Sequence, residues 1–171
     1  MRPENPIRMC NPQAAPMDIL KEKGVETMIH ADTIRLLREC DAGVRMGVSS
    51  IGDVLAHAPS DELASRLTSS KKEHEALGAE IRAALERFGD EGKAPNPMAR
   101  GMAWLKTSAE LTFSPSDPTA AGLIAGGCDM GVASLRGYLG KYAAADESSK
   151  EIAKRLIALE ETLSTQMRDF C

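Results

Sequence analysis

Aromatic side chains are scarce in this chain, with one Trp, two Tyr and three Phe among 171 residues. Strands favour β-branched and aromatic residues, so this shortage argues against a sheet protein. Long apolar runs are missing as well: no window approaches the roughly 20 apolar residues of a membrane span. The N-terminus also lacks the apolar stretch of a secretory signal. Both absences predict a cytoplasmic protein with no membrane partner. There is no run of Lys and Arg, and 21 basic against 25 acidic residues leave a formal net charge of -4. Nucleic-acid binding rests on neutralising several phosphates with a basic face, so that function class is excluded. The four cysteines, Cys10, Cys40, Cys128 and Cys171, form no CxxC pair and hold no metal-ligand spacing with histidine. Neither a zinc site nor a redox pair is indicated, and reduced thiols are expected.

What is present is abundant Ala, Leu, Met and Glu, the composition of helices, in a chain long enough for one well-buried core. Residues 1–28 carry Pro3, Pro6, Pro12 and Pro16 without sustained periodicity and read as a flexible tail ahead of a folded domain, residues 29–171. From Asp32, taken as an N-cap, Ile34, Leu37, Val44, Val48, Ile51 and Leu55 mark one face of a first helix, and Asp41 falls on the same stripe. The helix is expected to end near His57, placed to cap carbonyls there. Ser60 caps a second helix with the stripe Leu63, Leu67, Ser70, His74, Leu77, Ile81, Leu85 and Phe88, stopped by Gly89. A short amphipathic helix with Trp104 is expected over residues 98–113. Asp117 and Pro118 then start a third long helix running to about Tyr142, and a fourth runs from Asp146 to Phe170.

The second half repeats the first. Cys40-Asp41-Ala42-Gly43-Val44 matches Cys128-Asp129-Met130-Gly131-Val132, and Leu63-Ala64-Ser65-Arg66-Leu67 matches Ile152-Ala153-Lys154-Arg155-Leu156 at nearly the same offset. The expected fold is therefore all-α, a four-helix bundle of two antiparallel hairpins joined by a long crossover that contains the short helix. In such a bundle Asp41 and Asp129 would both face the core. Gly43 and Gly47, and again Gly127 and Gly131, sit four apart inside helices. Each costs about 1 kcal/mol relative to Ala. Close helix approach, or a small polar cavity beside the aspartates, is what would compensate.

This layout resembles the ferritin-like superfamily, and specifically the bacterial family labelled DUF2383. The resemblance covers about Ala31 to Cys171. It rests on the Cys40-Asp41-Ala42-Gly43 segment, the His74 region, Met102-Ala103-Trp104-Leu105-Lys106, Gly127 through Val132, Glu160-Glu161 and Met167-Arg168-Asp169-Phe170. It implies a di-iron or di-manganese centre built from one carboxylate on each of two helices and a Glu-x-x-His pair on each of the other two. The chain departs from that pattern. Lys71 stands three before His74, and Leu163 stands where the second His would be. At most four ligands survive, namely Asp41, His74, Asp129 and Glu160. Carboxylates on an apolar stripe are costly unless paired, and Lys71, Lys72 or Arg45 could supply the charge that a metal otherwise would. The residues thus favour a non-catalytic structural or interaction module with a degenerate site and no cofactor. The alternative is an iron- or manganese-binding oxidase or iron-handling protein using those four residues. A homodimer through Trp104 and the apolar side of the short helix is the remaining partner reading, set against a helix that simply covers the bundle.

Overall fold

The structure, a computed structural model, describes residues 16–58, 60–92 and 116–171, with side chains from residue 22 onward. Four long helices account for almost all of them. Helix α1 spans Pro16–Leu55. It does not start at Asp32 but passes through it without a break, and no helix end coincides with the tail boundary expected at residue 28. The reason is local. Proline is tolerated in the first turn, where its missing N–H has no partner to lose, and the stretch that follows is rich in Lys and Glu, good helix formers. Asp32 instead pairs with Arg35 one turn on, at 3.4 Å. After α1, the His57 ring nitrogen Nδ1 lies 3.1 Å from the Asp53 carbonyl oxygen, as its position implied.

Helix α2 spans Asp61–Glu86; Ser60 Oγ accepts from the Leu63 amide at 3.2 Å, and Asp61 and Glu62 complement the positive end of the helix dipole. Gly89, at φ +65°, ends it in a left-handed turn open to glycine at little steric cost. Helix α3 spans Asp117–Lys141, capped by Ser116 rather than by Asp117, with Oγ 3.3 Å from the Thr119 amide. Helix α4 spans Glu147–Arg168, where the Asp146 carboxylate accepts from the Ser149 amide at 2.7 Å. The short helix and Trp104 expected within residues 98–113 lie outside the described residues.

Two apolar clusters share the interior. One joins Leu36, Leu37 and Val44 of α1 with Leu77, Ile81 and Leu85 of α2, Val132 and Leu135 of α3, and Ile152 and Leu156 of α4. The other joins Ile51 and Val54 with Leu63, Leu67, Ala121, Ile124, Leu163 and Met167. These groupings fix the helix directions. Helices α1 and α4 run one way and α2 and α3 the other, so α2 ends at the opposite end of the bundle from where α3 begins. The fully buried Leu and Ile side chains contribute about 1.5–3 kcal/mol each. In α1 this stripe stops near Ile34, and residues 22–30 are exposed, including Val25, Met28 and Ile29. Among the described residues no helix is long and apolar enough to cross a membrane.

Candidate functional site

Between the two apolar clusters the bundle has a polar waist to which each helix contributes. On α1, Gly47 falls between Val44 and Ile51. On α2, His74 falls between Leu67 and Leu77. On α3, Gly131 lies beside Val132, and on α4 Glu160 lies between Ile157 and Leu163. His74 is fully buried and Glu160 nearly so.

The helix that carries His74 also orients it. One turn back, the Ser70 carbonyl oxygen lies 2.8 Å from Nδ1, and the Ser70 hydroxyl lies 3.3 Å from the same nitrogen. A carbonyl oxygen can only accept, so Nδ1 carries a proton and donates to it. That leaves Nε2 facing Glu160 Oε1 across 3.5 Å, with no hydrogen-bond partner of its own. Burial alone pushes the His74 pKa down. The Glu160 carboxylate, the Ser70 carbonyl and the charge of Glu73 more than offset this, and the net shift is upward from 6.5.

The waist has room for this pair because two helices present no side chain there. A Cβ on Gly47 would lie 3.3 Å from His74 Cδ2 and 3.6 Å from Glu160 Oε1, and one on Gly131 would lie 3.5 Å from Glu160 Cδ. One glycine of each pair, Gly47 and Gly131, borders a polar site, and it accommodates His74 and Glu160 rather than the two aspartates. Around Gly43 the space is open. Cys128 of α3 is buried; burial first, and then the charge of Glu160, push its thiol pKa upward.

Of the four residues predicted as ligands, His74 and Glu160 are thus brought together, and Asp41 and Asp129 are not. Asp41 is fully buried but sits six residues before Gly47, about 9 Å along the helix axis. Its partner is Arg45, Nη2 to Oδ2 at 2.8 Å, with Arg82 Nη1 4.0 Å from Oδ1. Arg45 is therefore the cation that serves Asp41, whereas Lys71 Nζ lies over Gly52. The loop after α2 closes this corner. Arg38 Nε donates to Asp90 at 3.0 Å, the Gly92 amide donates to Asp90 at 2.9 Å, and Gly92 itself, at φ +79°, leaves no space for a Cβ beside Asp41 Oδ2.

Asp129 does not face the core, contrary to the symmetry suggested by the repeated motif. It lies on the surface of α3, accepting from Ser164 Oγ at 2.7 Å and from Arg168 Nη2 at 2.8 Å. Each aspartate follows a buried cysteine and so points about 100° away from the core-facing direction of its helix. The loop at residues 90–92 covers that side of α1. Among the described residues, Asp129 bonds only to side chains of α4.

The sequence reading missed Ser70 and Cys128 as parts of the site. The spacing of Ser70 and His74, one helical turn apart on the same stripe, was the available signal for the first. For Cys128 it was adjacency to Gly131 on the inward face. Among the described residues no three His, Cys, Asp or Glu side chains stand together as a ready metal cluster. A shallow groove of about 340 Å³ between α2 and α4, lined by Ser65, Arg66, Ser70, Glu73, Thr162 and Gln166, reaches the far side of Ser70. Comparison with models of known families, with curated proteins and with solved structures gives no match.

Proposed function

We propose that this protein is a ferritin-like four-helix bundle of the DUF2383 type that acts as a structural or interaction module without di-metal chemistry. The observation that carries the reading is the His74–Glu160 pair at 3.5 Å in the waist, where two helices contribute glycines and no further carboxylate. A di-iron or di-manganese centre takes four carboxylates and two imidazoles. Here Asp41 is held by Arg45, Asp129 by Arg168, and the Glu-x-x-His pairs are absent. The residues do not fit that centre.

The helix directions support the one-crossover topology of the superfamily, because α2 ends and α3 begins at opposite ends of the bundle. Elemental analysis of the full chain, expressed without added metal, tests the proposal. The expected result is the absence of a stoichiometric iron or manganese pair. Two tightly held iron or manganese ions per chain would overturn it in favour of the oxidase or iron-handling alternative.

A further inference from the structure

We propose that the exposed N-terminal length of α1 docks a second copy of this chain, the two α1 helices packing antiparallel about a twofold axis that lies between Val25 and Met28. The inference goes beyond the module reading by naming a partner. It rests on α1 and not on the waist, so it stands or falls separately from the elemental analysis that tests that reading.

The bundle leaves this length of helix unpartnered. His30, edge-on to Phe88, and Thr33, which accepts from the Asp146 amide, mark the point where α1 leaves the other helices. Residues 16–29 continue for about 21 Å past that point, at about 1.5 Å per residue. A helix of that length with nothing to pack on is marginal in water. It is also not a polar surface. Among the described residues four large apolar side chains are exposed, and three of them, Val25, Met28 and Ile29, stand within about one turn of α1. Apolar groups gathered in this way mark a contact surface, whereas single ones scattered over a protein do not.

Spacing and charge select the occupant. In the antiparallel pair Val25 of each copy faces Met28 of the other, and Ile29 faces Gly24. A Cβ on Gly24 would meet nothing within 4 Å, so the larger side chain has room there. The stripe Asp18, Lys21, Val25, Met28, Asp32 and Arg35 recurs in alternating steps of three and four, one face of a helix. Under the same axis Lys21 falls opposite Asp32, and Asp18 opposite Arg35, so every charged position of the stripe meets a formal charge of the other sign. Asp32 and Arg35 already pair within the chain at 3.4 Å, and Arg35 stays largely exposed, free to extend that pair across the contact. Parallel packing would instead set each charge against its own copy, which electrostatics disfavours. A twofold contact uses the same patch on both partners and so closes at two chains.

The test is light scattering and sedimentation equilibrium on the full chain across protein concentration. The expected mass is that of two chains, falling toward one on dilution. Met28→Glu should weaken association by about tenfold or more. Lys21→Asp should weaken it as well, and adding Asp32→Lys should restore much of the loss, a rescue that only facing charges give. Met130→Glu, at the remaining exposed apolar side chain, should leave association unchanged. Once the copies have separated in dilute solution, none of these substitutions should alter the fold, which far-ultraviolet circular dichroism verifies. A single-chain mass at every concentration, as when another segment or a different protein covers this face, would overturn the proposal. So would a dimer indifferent to Met28→Glu, a charge swap without rescue, or assemblies that grow beyond two chains.

Discussion

His74 and Glu160 depend on each other. Removing one member of a buried pair strands the other charge, which typically costs about 3–5 kcal/mol, whereas replacing both with apolar groups of similar size is often neutral or stabilising. His74→Ala should therefore lose stability on that scale in urea denaturation, while His74→Leu combined with Glu160→Met should recover most of it. A double variant as unstable as the single would show that the pair itself holds the bundle together. The pair also makes stability depend on pH, with a definite sign. The His74 pKa is higher in the folded chain than its ordinary 6.5, so the imidazolium favours the folded state. That contribution is full below about pH 6.5 and is lost as pH rises through the raised folded pKa. The urea midpoint of the metal-free protein should fall over that interval, and the fall should disappear in the double variant. Cys40, whose thiol is pushed up to about 12 mainly by burial, stays protonated throughout and should resist alkylation in the native state.

Among the elements, α1 packs tightly on α2 at Gly78, where a Cβ would lie 2.8 Å from Val44 Cγ1. Alanine is the better helix former by about 1 kcal/mol. Val44 is fully packed and stiff at χ1, so overpacking should dominate and Gly78→Ala should destabilise by about 1–3 kcal/mol in chemical denaturation. A more stable Gly78→Ala would mean that the helices can separate freely. Helix α1 offers a contrast along its own length. Val25, Met28 and Ile29 are exposed and Leu36 is fully buried. Serine at any of the first three should shift stability by no more than about 0.5 kcal/mol, whereas Leu36→Ala should cost about 2–5 kcal/mol. Calorimetry of the four variants would show whether the stabilising part of α1 begins near Thr33, where the side-chain oxygen accepts from the Asp146 amide at 2.9 Å.

At the scale of the whole molecule, the helical architecture was legible because four amphipathic stripes, the Ser60 and Asp146 caps and the Gly89 stop are local signals. The start of α1 was not, because a proline-containing segment that buries little resembles a tail whether or not it is helical. The site was legible in half. His74 lies on an apolar stripe and is therefore buried, but which carboxylate meets it depends on how α2 and α4 align, and no single helix encodes that. The CDxGV repeat misled for a related reason: equal sequence does not give equal burial when, among the described residues, a loop covers the first copy and only α4 side chains meet the aspartate of the second. Alignment is also where the waist acts on the whole fold. Sliding α4 by one turn, about 5.4 Å, would carry Glu160 from its glycine-lined gap into the packed leucines on either side, leaving a charge buried with no counterpart. The oily layers alone would tolerate such a slip. The waist makes it costly by several kcal/mol, and so works as a register pin that rejects mis-threaded bundles, including those exchanged between chains.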